Sequence, residues 1–177
     1  MTPSYLDKAI LLSVGTEATE RAIKISRIYG ESISKGKNII VGGEGNYHGK
    51  TLGAQMVGGQ HTDKDWIGYL DPNMKHIPFP FPWELDGFDG DGKDMFYSHL
   101  ELLEEQGVDL TRIAAFFVES FQGWGAIFYP VEYIKAMREW SIKNNTLLVF
   151  DEIQAGFGRT GKFFAYEHYD VNPDLVI

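Results

Sequence analysis

The run Leu147-Leu148-Val149-Phe150-Asp151-Glu152 drives four apolar residues straight into two carboxylates, and a glycine-rich stretch, Gly156-Phe157-Gly158-Arg159-Thr160-Gly161, follows. This pattern reads as a buried strand delivering an acid to the carboxyl end of a sheet, where α/β proteins place their ligands. A further acid, Glu119, follows the apolar run Ile113–Val118 and opens Glu119-Ser120-Phe121-Gln122-Gly123-Trp124-Gly125. Ser13-Val14-Gly15-Thr16 joins a predicted strand to a predicted helix. A glycine there lets backbone approach a ligand, and the first helical N–H groups would form an anion site. An ordinary capped helix carries the same signature, so this motif alone leaves both readings open. Tyr47-His48-Gly49-Lys50-Thr51 offers a flat ring that could stack on a planar ligand, or a surface tyrosine beside a solvated histidine.

These residues need elements to position them. The pattern predicts a strand over 8–13 and a helix from Glu17 to about Tyr29 capped by Thr16. Its buried stripe is expected to be Ala18, Ala22, Ile25 and Tyr29, with Glu17–Arg21 and Glu20–Lys24 pairing on the wet side. A strand is expected over 38–41, and a second helix near His48. Residues 58–92 carry few regular signals, and Ile77-Pro78-Phe79-Pro80-Phe81-Pro82-Trp83 must be extended because pre-proline residues avoid the α region. A helix over 94–106, a strand over 113–118, a helix from Pro130 to about Asn144 and a strand over 146–150 complete the series. The 130–144 helix is expected to bury Val131, Ile134, Met137 and Ser141. The segment 172–177 reads as a turn entering one more buried strand. Strands alternating with helices imply an α/β fold with a mainly parallel sheet and flanking helices.

Composition narrows the function classes. The chain has 177 residues, 44% hydrophobic and 23% charged, which describes a globular chain long enough for a real core. A net charge of −9 argues against binding nucleic acid or anionic membrane through bulk charge. Without cysteine there is no thiol nucleophile, disulfide or thiolate metal site, and no metal centre is expected. The N-terminus has no signal pattern and no stretch approaches a membrane span, so the cytoplasm is the expected compartment. Gly49-Lys50-Thr51 and the Asp151-Glu152 strand together suggest a P-loop nucleotide site, but that pattern needs glycine where Glu44 stands.

The stretch 147–161 resembles the pyridine-binding strand of the class III aminotransferases, enzymes that use pyridoxal 5'-phosphate (PLP). Tyr47-His48-Gly49-Lys50-Thr51 is similar to the family's Tyr-His-Gly-Arg-Thr run. Glu119 to Gly125 is similar to its Glu-Pro-x-Gln-Gly-x-Gly segment, with Ser120 in place of proline. The resemblance runs from about Leu12 to Ile177, with four motifs in the family's order.

What the resemblance implies is specific. Gly15 and Thr16 would hold the cofactor phosphate. Val14 stands where relatives often carry serine or threonine, so backbone must supply more of that binding. Tyr47, with His48 beside it, would stack on the ring; Ile153 would pack beneath it; Gln154 would lie near its phenolic oxygen. Asp151 would be the catalytic carboxylate at the pyridine nitrogen, stabilising the protonated ring as an electron sink, with Glu119 nearby. Trp124 stands where amino-acid and GABA transaminases carry a glutamate that pairs with an arginine handling a substrate carboxylate; either this argues against a simple GABA- or ornithine-type substrate, or Trp124 only packs against the aromatic loop.

The fold implied is the PLP-dependent transferase fold type I. Residues 1–177 form an incomplete large domain, and the C-terminal small domain is absent. The Schiff-base lysine follows the aspartate by about thirty residues in the family, beyond Ile177. The lysines present are expected on solvated helix faces and turns, so this stretch alone is expected to be inactive. The parent would be a homodimer transferring an amino group between an amine or amino acid and a 2-oxo acid. Other fold-type-I chemistries (decarboxylase, aminomutase, lyase) and a non-catalytic cofactor-binding fragment share the same motifs.

Overall fold

The computed structural model describes residues 3–177. Five strands form one fully parallel sheet: β1 (Ile39–Gly43), β2 (Met74–Ile77), β3 (Ile113–Glu119), β4 (Leu147–Asp151) and β5 (Leu175–Val176), in the order β2-β1-β3-β4-β5. Four α-helices accompany it: α1 (Gly15–Ile33), α2 (Leu52–Val57), α3 (Gly92–Glu105) and α4 (Val131–Lys143). Strand side chains alternate between two cores. Ile40, Ala115, Phe117 and Val149 pack with Ala22 and Ile23 of α1 and Val57 of α2. Val41, Phe116, Val118, Leu148 and Phe150 pack with Phe96 and Leu100 of α3 and Ile134 and Met137 of α4. Burial on both faces explains why these strands read as unbroken apolar runs.

Several expectations need correction. Residues 8–13 form no strand: Ile10, Leu11 and Leu12 are exposed, with no sheet neighbour to pair them. Helix α1 runs longer than expected and buries Thr19, Ala22, Ile23, Ser26 and Gly30 rather than Ala18, Ile25 and Tyr29. The small residues turn inward because the helix lies close to the sheet. A Cβ on Gly30 would sit 2.9 Å from that of Ala114. Thr16 does not cap α1; the N-cap is Val14, without a side-chain hydrogen bond. Neither expected ion pair on α1 forms: Glu17 accepts from the Ser13 amide, and Glu20 turns to α2. The second helix starts at Leu52, four residues after His48, because Gly49 takes φ +118°. In α4, Tyr133 replaces Val131 on the buried face.

Strand β2 has no counterpart in the expected elements. As an edge strand beside β1 alone it is only half-buried, so Met74-Lys75-His76-Ile77 shows no continuous apolar run. The proline-rich segment that follows is extended only as far as Phe81; Pro82 and Trp83, expected to be extended, open a 3-10 turn instead, since proline suits a first helical position, and Phe81 stacks on Trp83 at 4.7 Å.

Not all the lysines are solvated. Lys37 is buried, its Nζ donating to Thr111 O (3.1 Å) and Thr146 Oγ1 (3.3 Å) at the amino ends of β3 and β4. Lys64 is buried and donates to Met56 O at 3.1 Å. Burial pushes both ammonium groups below the usual lysine range.

The α3–α4 core carries a titratable group. His99 is buried with Nδ1 2.8 Å from the Tyr133 hydroxyl, and burial lowers its pKa from 6.5 to about 4. The unfolded chain therefore binds this proton more tightly than the folded one. The stability that follows is complete above pH 6.5 and is lost as pH falls towards 4. Urea midpoints at pH 7 and pH 5 should show His99→Gln losing ~1–2 kcal/mol less on acidification than the parent chain. Equal losses would remove His99 from the acid response.

Candidate cofactor site

Strand order reverses between β1 and β3: the chain passes from β1 to β2 on one side, then crosses to β3 on the other. Crevices at the carboxyl ends of strands beside such a reversal are where open α/β sheets bind ligands. A cavity of about 520 Å³ lies there. Gly15, Thr16, Tyr47, His48, Glu119, Asp151, Ile153 and Gln154 all line it, so the eight residues nominated for cofactor binding meet at one place, while Trp124 does not join them. Val14, Gly49, Lys50, Phe121 and Ala155 line it too. Phe121 and Ala155 are apolar neighbours of nominated positions, and nothing in their residue type signals a ligand.

The two acids are direct neighbours. Glu119 ends β3, Asp151 ends β4, and they are partners in the parallel ladder. Asp151 Oδ2 lies 2.8 Å from His48 Nδ1, and Oδ1 accepts from the Ile153 amide at 3.1 Å. That network makes His48 the donor through Nδ1. His48 is buried, and its Nε2 has no partner among the described residues. Glu119 is held by backbone: Oε1 accepts from Tyr47 N at 2.8 Å and Oε2 from Gly123 N at 3.2 Å. Burial pushes the Glu119 carboxyl above the usual carboxylate range, aided by the charge of Asp151. The Tyr47 amide and His48 pull the other way. Gln154 Nε2 donates weakly to Gly123 O at 3.4 Å and is otherwise exposed.

The start of α1 lines the same cavity as the acids. Gly15 and Thr16 are its first two residues, so their N–H groups have no acceptor within the helix. Ile153 leans on this end; a Cβ at Gly15 would lie 2.9 Å from its Cδ1. Tyr47 is half exposed in the cavity lining, and Lys50 is the lysine that borders the cavity among the described residues. The cavity thus brings together free amides at a positive helix end, a buried carboxylate and an aromatic ring. A planar, phosphorylated, nitrogen-containing ring matches that donor set.

The P-loop reading fails on this geometry. The N-terminus of α2, which follows Gly49-Lys50-Thr51, is filled by the Glu20 carboxylate and has no room for a phosphate. Trp124 lies outside the cavity lining, edge-on to Phe81 at 6.4 Å, and so packs against the aromatic loop.

Sheet order, flanking helices and a site at the carboxyl ends of the strands make this the fold of the PLP-dependent transaminases. The family model "Aminotransferase class-III" matches residues 1–177, and the chain belongs to that family. An acetylornithine aminotransferase of Vibrio cholerae is 34% identical over 175 residues, covering 98% of this chain and 38% of that protein. A transaminase from the marine bacterium Virgibacillus superposes with a TM-score of 0.84 at 30% identity, covering 99% of this chain and 38% of the other. An amine transaminase from an uncultivated Pseudomonas species, described as PLP-bound, superposes at 0.78 with 30% identity, covering 93% and 38%. The chain therefore spans about 38% of the length of such relatives.

Proposed function

We propose that this chain is the cofactor-binding part of the large domain of a PLP-dependent aminotransferase, one that moves an amino group between an amine or amino acid and a 2-oxo acid. The observation that carries the reading is one cavity lined at once by the helix-start residues Gly15 and Thr16, the buried Asp151 carboxylate and Tyr47. The residues fit PLP. Backbone N–H groups of Gly15 and Thr16 would hold the phosphate, Tyr47 and Ile153 would hold the ring, and Gln154 would meet its phenolic oxygen. When bound, PLP supplies an electron sink for the substrate carbon next to the amine.

The chain's own groups prepare that chemistry. Asp151, fixed by His48 and the Ile153 amide, keeps a proton on the pyridine nitrogen through its charge. His48 donates through Nδ1 and so holds the carboxylate in place rather than competing for the ring. Glu119 fixes the Tyr47 backbone, and thereby the ring wall. The lysine that anchors the cofactor is supplied, in this reading, by sequence following Ile177. Lys50 at the cavity border belongs to a loop that approaches Thr16, on the phosphate side. A cytoplasmic homodimer is part of the proposal; no helix among the described residues is long and apolar enough to cross a membrane.

Gly15→Leu tests the reading. Its side chain would drive Ile153 into the cavity and cover the free amides. PLP titration followed by ring absorbance should show affinity falling by at least about tenfold, the equivalent of one lost charge-assisted hydrogen bond. Transamination is assayed in parallel on the protein extended to the length of its relatives. Unchanged PLP affinity would remove α1 from the site.

A further inference from the structure

Glu20 was expected to face solvent and pair with Lys24. Instead its Oε1 accepts three hydrogen bonds from the neighbouring helix start: Thr51 Oγ1 at 2.6 Å, Gly53 N at 2.8 Å and Ala54 N at 3.1 Å. Helix α2 has Thr51 at its N-cap but no side-chain cap of its own. Glu20 therefore supplies, from another helix, the anion and acceptor that a cap residue would provide. Gly53 makes room for it; a Cβ there would lie 3.0 Å from Glu20 Cδ.

The hydrogen bonds around it have a fixed direction. Thr51 has one hydroxyl proton, and Glu20 takes it. The 2.8 Å contact between the Thr16 and Thr51 hydroxyls must then run from Thr16 to Thr51. The Thr51 amide in turn donates to Thr16 Oγ1 at 3.3 Å. One turn further along α1, the Thr19 hydroxyl donates to His48 O at 2.9 Å. Thr16, Thr19 and Glu20 occupy one helical face and clamp residues 48–54 against the start of α1. Since the Thr16 hydroxyl proton is spent on Thr51, the α1 end meets a ligand through its backbone amides. The N-terminal field of α2, the other helix start nearby, is neutralised by Glu20.

We propose that Glu20 is a positioning residue for phosphate recognition. It caps α2, orients the Thr16–Thr51 hydroxyl pair, and holds the free amides of Gly15 and Thr16 at a set distance from the wall carrying Tyr47. This rests on the cofactor reading of the cavity. A residue that merely held the fold together would affect every ligand of the cavity alike. Glu20 acts on the phosphate end, so its loss discriminates between PLP and the unphosphorylated pyridoxal.

The experiment measures dissociation constants of the full chain for PLP and for pyridoxal, with far-UV circular dichroism as a check on folding. Glu20→Ala is expected to weaken PLP about tenfold or more, with pyridoxal changed less than about twofold. Glu20→Gln retains an acceptor oxygen and should recover most of the PLP affinity. Thr51→Val, which breaks the hydroxyl relay but leaves Glu20 to cap the amides, should fall between the two and serves if Glu20→Ala fails to fold. Amide exchange at Gly53 and Ala54 should accelerate in Glu20→Ala. Wild-type PLP affinity in both Glu20→Ala and Thr51→Val, or equal losses for PLP and pyridoxal, would overturn the proposal. If the parent chain itself prefers PLP to pyridoxal by nothing at all, the cofactor reading fails and this assignment falls with it.

Discussion

Asp151→Asn is expected to lower transamination on the order of a hundredfold, a typical cost for removing one preorganised electrostatic contact in a catalytic site. The site explains the size. Asp151 accepts from His48 Nδ1 and from the Ile153 amide, so its two oxygens are already oriented for the pyridine nitrogen it is proposed to meet. An asparagine keeps one acceptor but turns an NH₂ towards one of these donors, and has no charge with which to hold a proton on the ring nitrogen. PLP would still bind through the α1 amides and the ring wall. The expected signature is therefore a loss in kcat with PLP still taken up, measured by steady-state assay beside a binding titration on the protein extended to the length of its relatives. Full activity in the variant would end the assignment of Asp151 as the catalytic carboxylate.

Gly49→Ala is expected to have the largest effect on both stability and binding of any methyl-sized change near the site. At φ +118° this residue occupies backbone space that side-chain-bearing residues avoid, at a cost of about 1–3 kcal/mol. The new Cβ would also fall 2.5 Å from Thr16 Cβ, a contact that only separation of the two segments can relieve. That separation breaks the Thr16–Thr51 hydrogen bond and withdraws Tyr47 and His48 from the α1 end. Urea unfolding should shift to lower midpoints, and PLP affinity should drop beyond what the stability loss alone dictates. A variant as stable and as tightly binding as the parent would show that the close approach of Gly49 to Thr16 is dispensable.

How much of this was legible in the sequence depended on how local the determinant is. The sheet of alternating strands and helices, the Asp151 and Glu119 strand ends and the Gly15 helix start were readable because each is encoded within a few adjacent residues. All eight nominated positions line one cavity. Strand β2 was not readable, since an edge strand with one neighbour can carry Lys75 and His76 without cost. The buried face of α1 was misjudged by about one residue. Thr19, Ser26 and Gly30 look polar or neutral in sequence, yet close packing on the sheet favours small side chains there. Glu20 was assigned to solvent because its partners lie more than thirty positions away, and helical spacing offered Lys24 instead. Lys37 and Lys64 likewise find their carbonyl partners through tertiary contacts that no local pattern announces.

The one-to-one ladder pairing of Glu119 with Asp151 has an evolutionary consequence. Within β3 or β4, inserting or deleting a single codon would exchange inward and outward positions along the rest of the strand and carry one acid away from the other. The connection between these strands, by contrast, reaches β4 through α4 and can change length without moving either strand end. Homologous genes should thus tolerate length changes between β3 and β4 more readily than within the strands, except over 120–123, where Phe121 lines the cavity and the Gly123 amide holds Glu119. The spacing of the two acids across the sheet is heritable even where the sequence distance between them drifts.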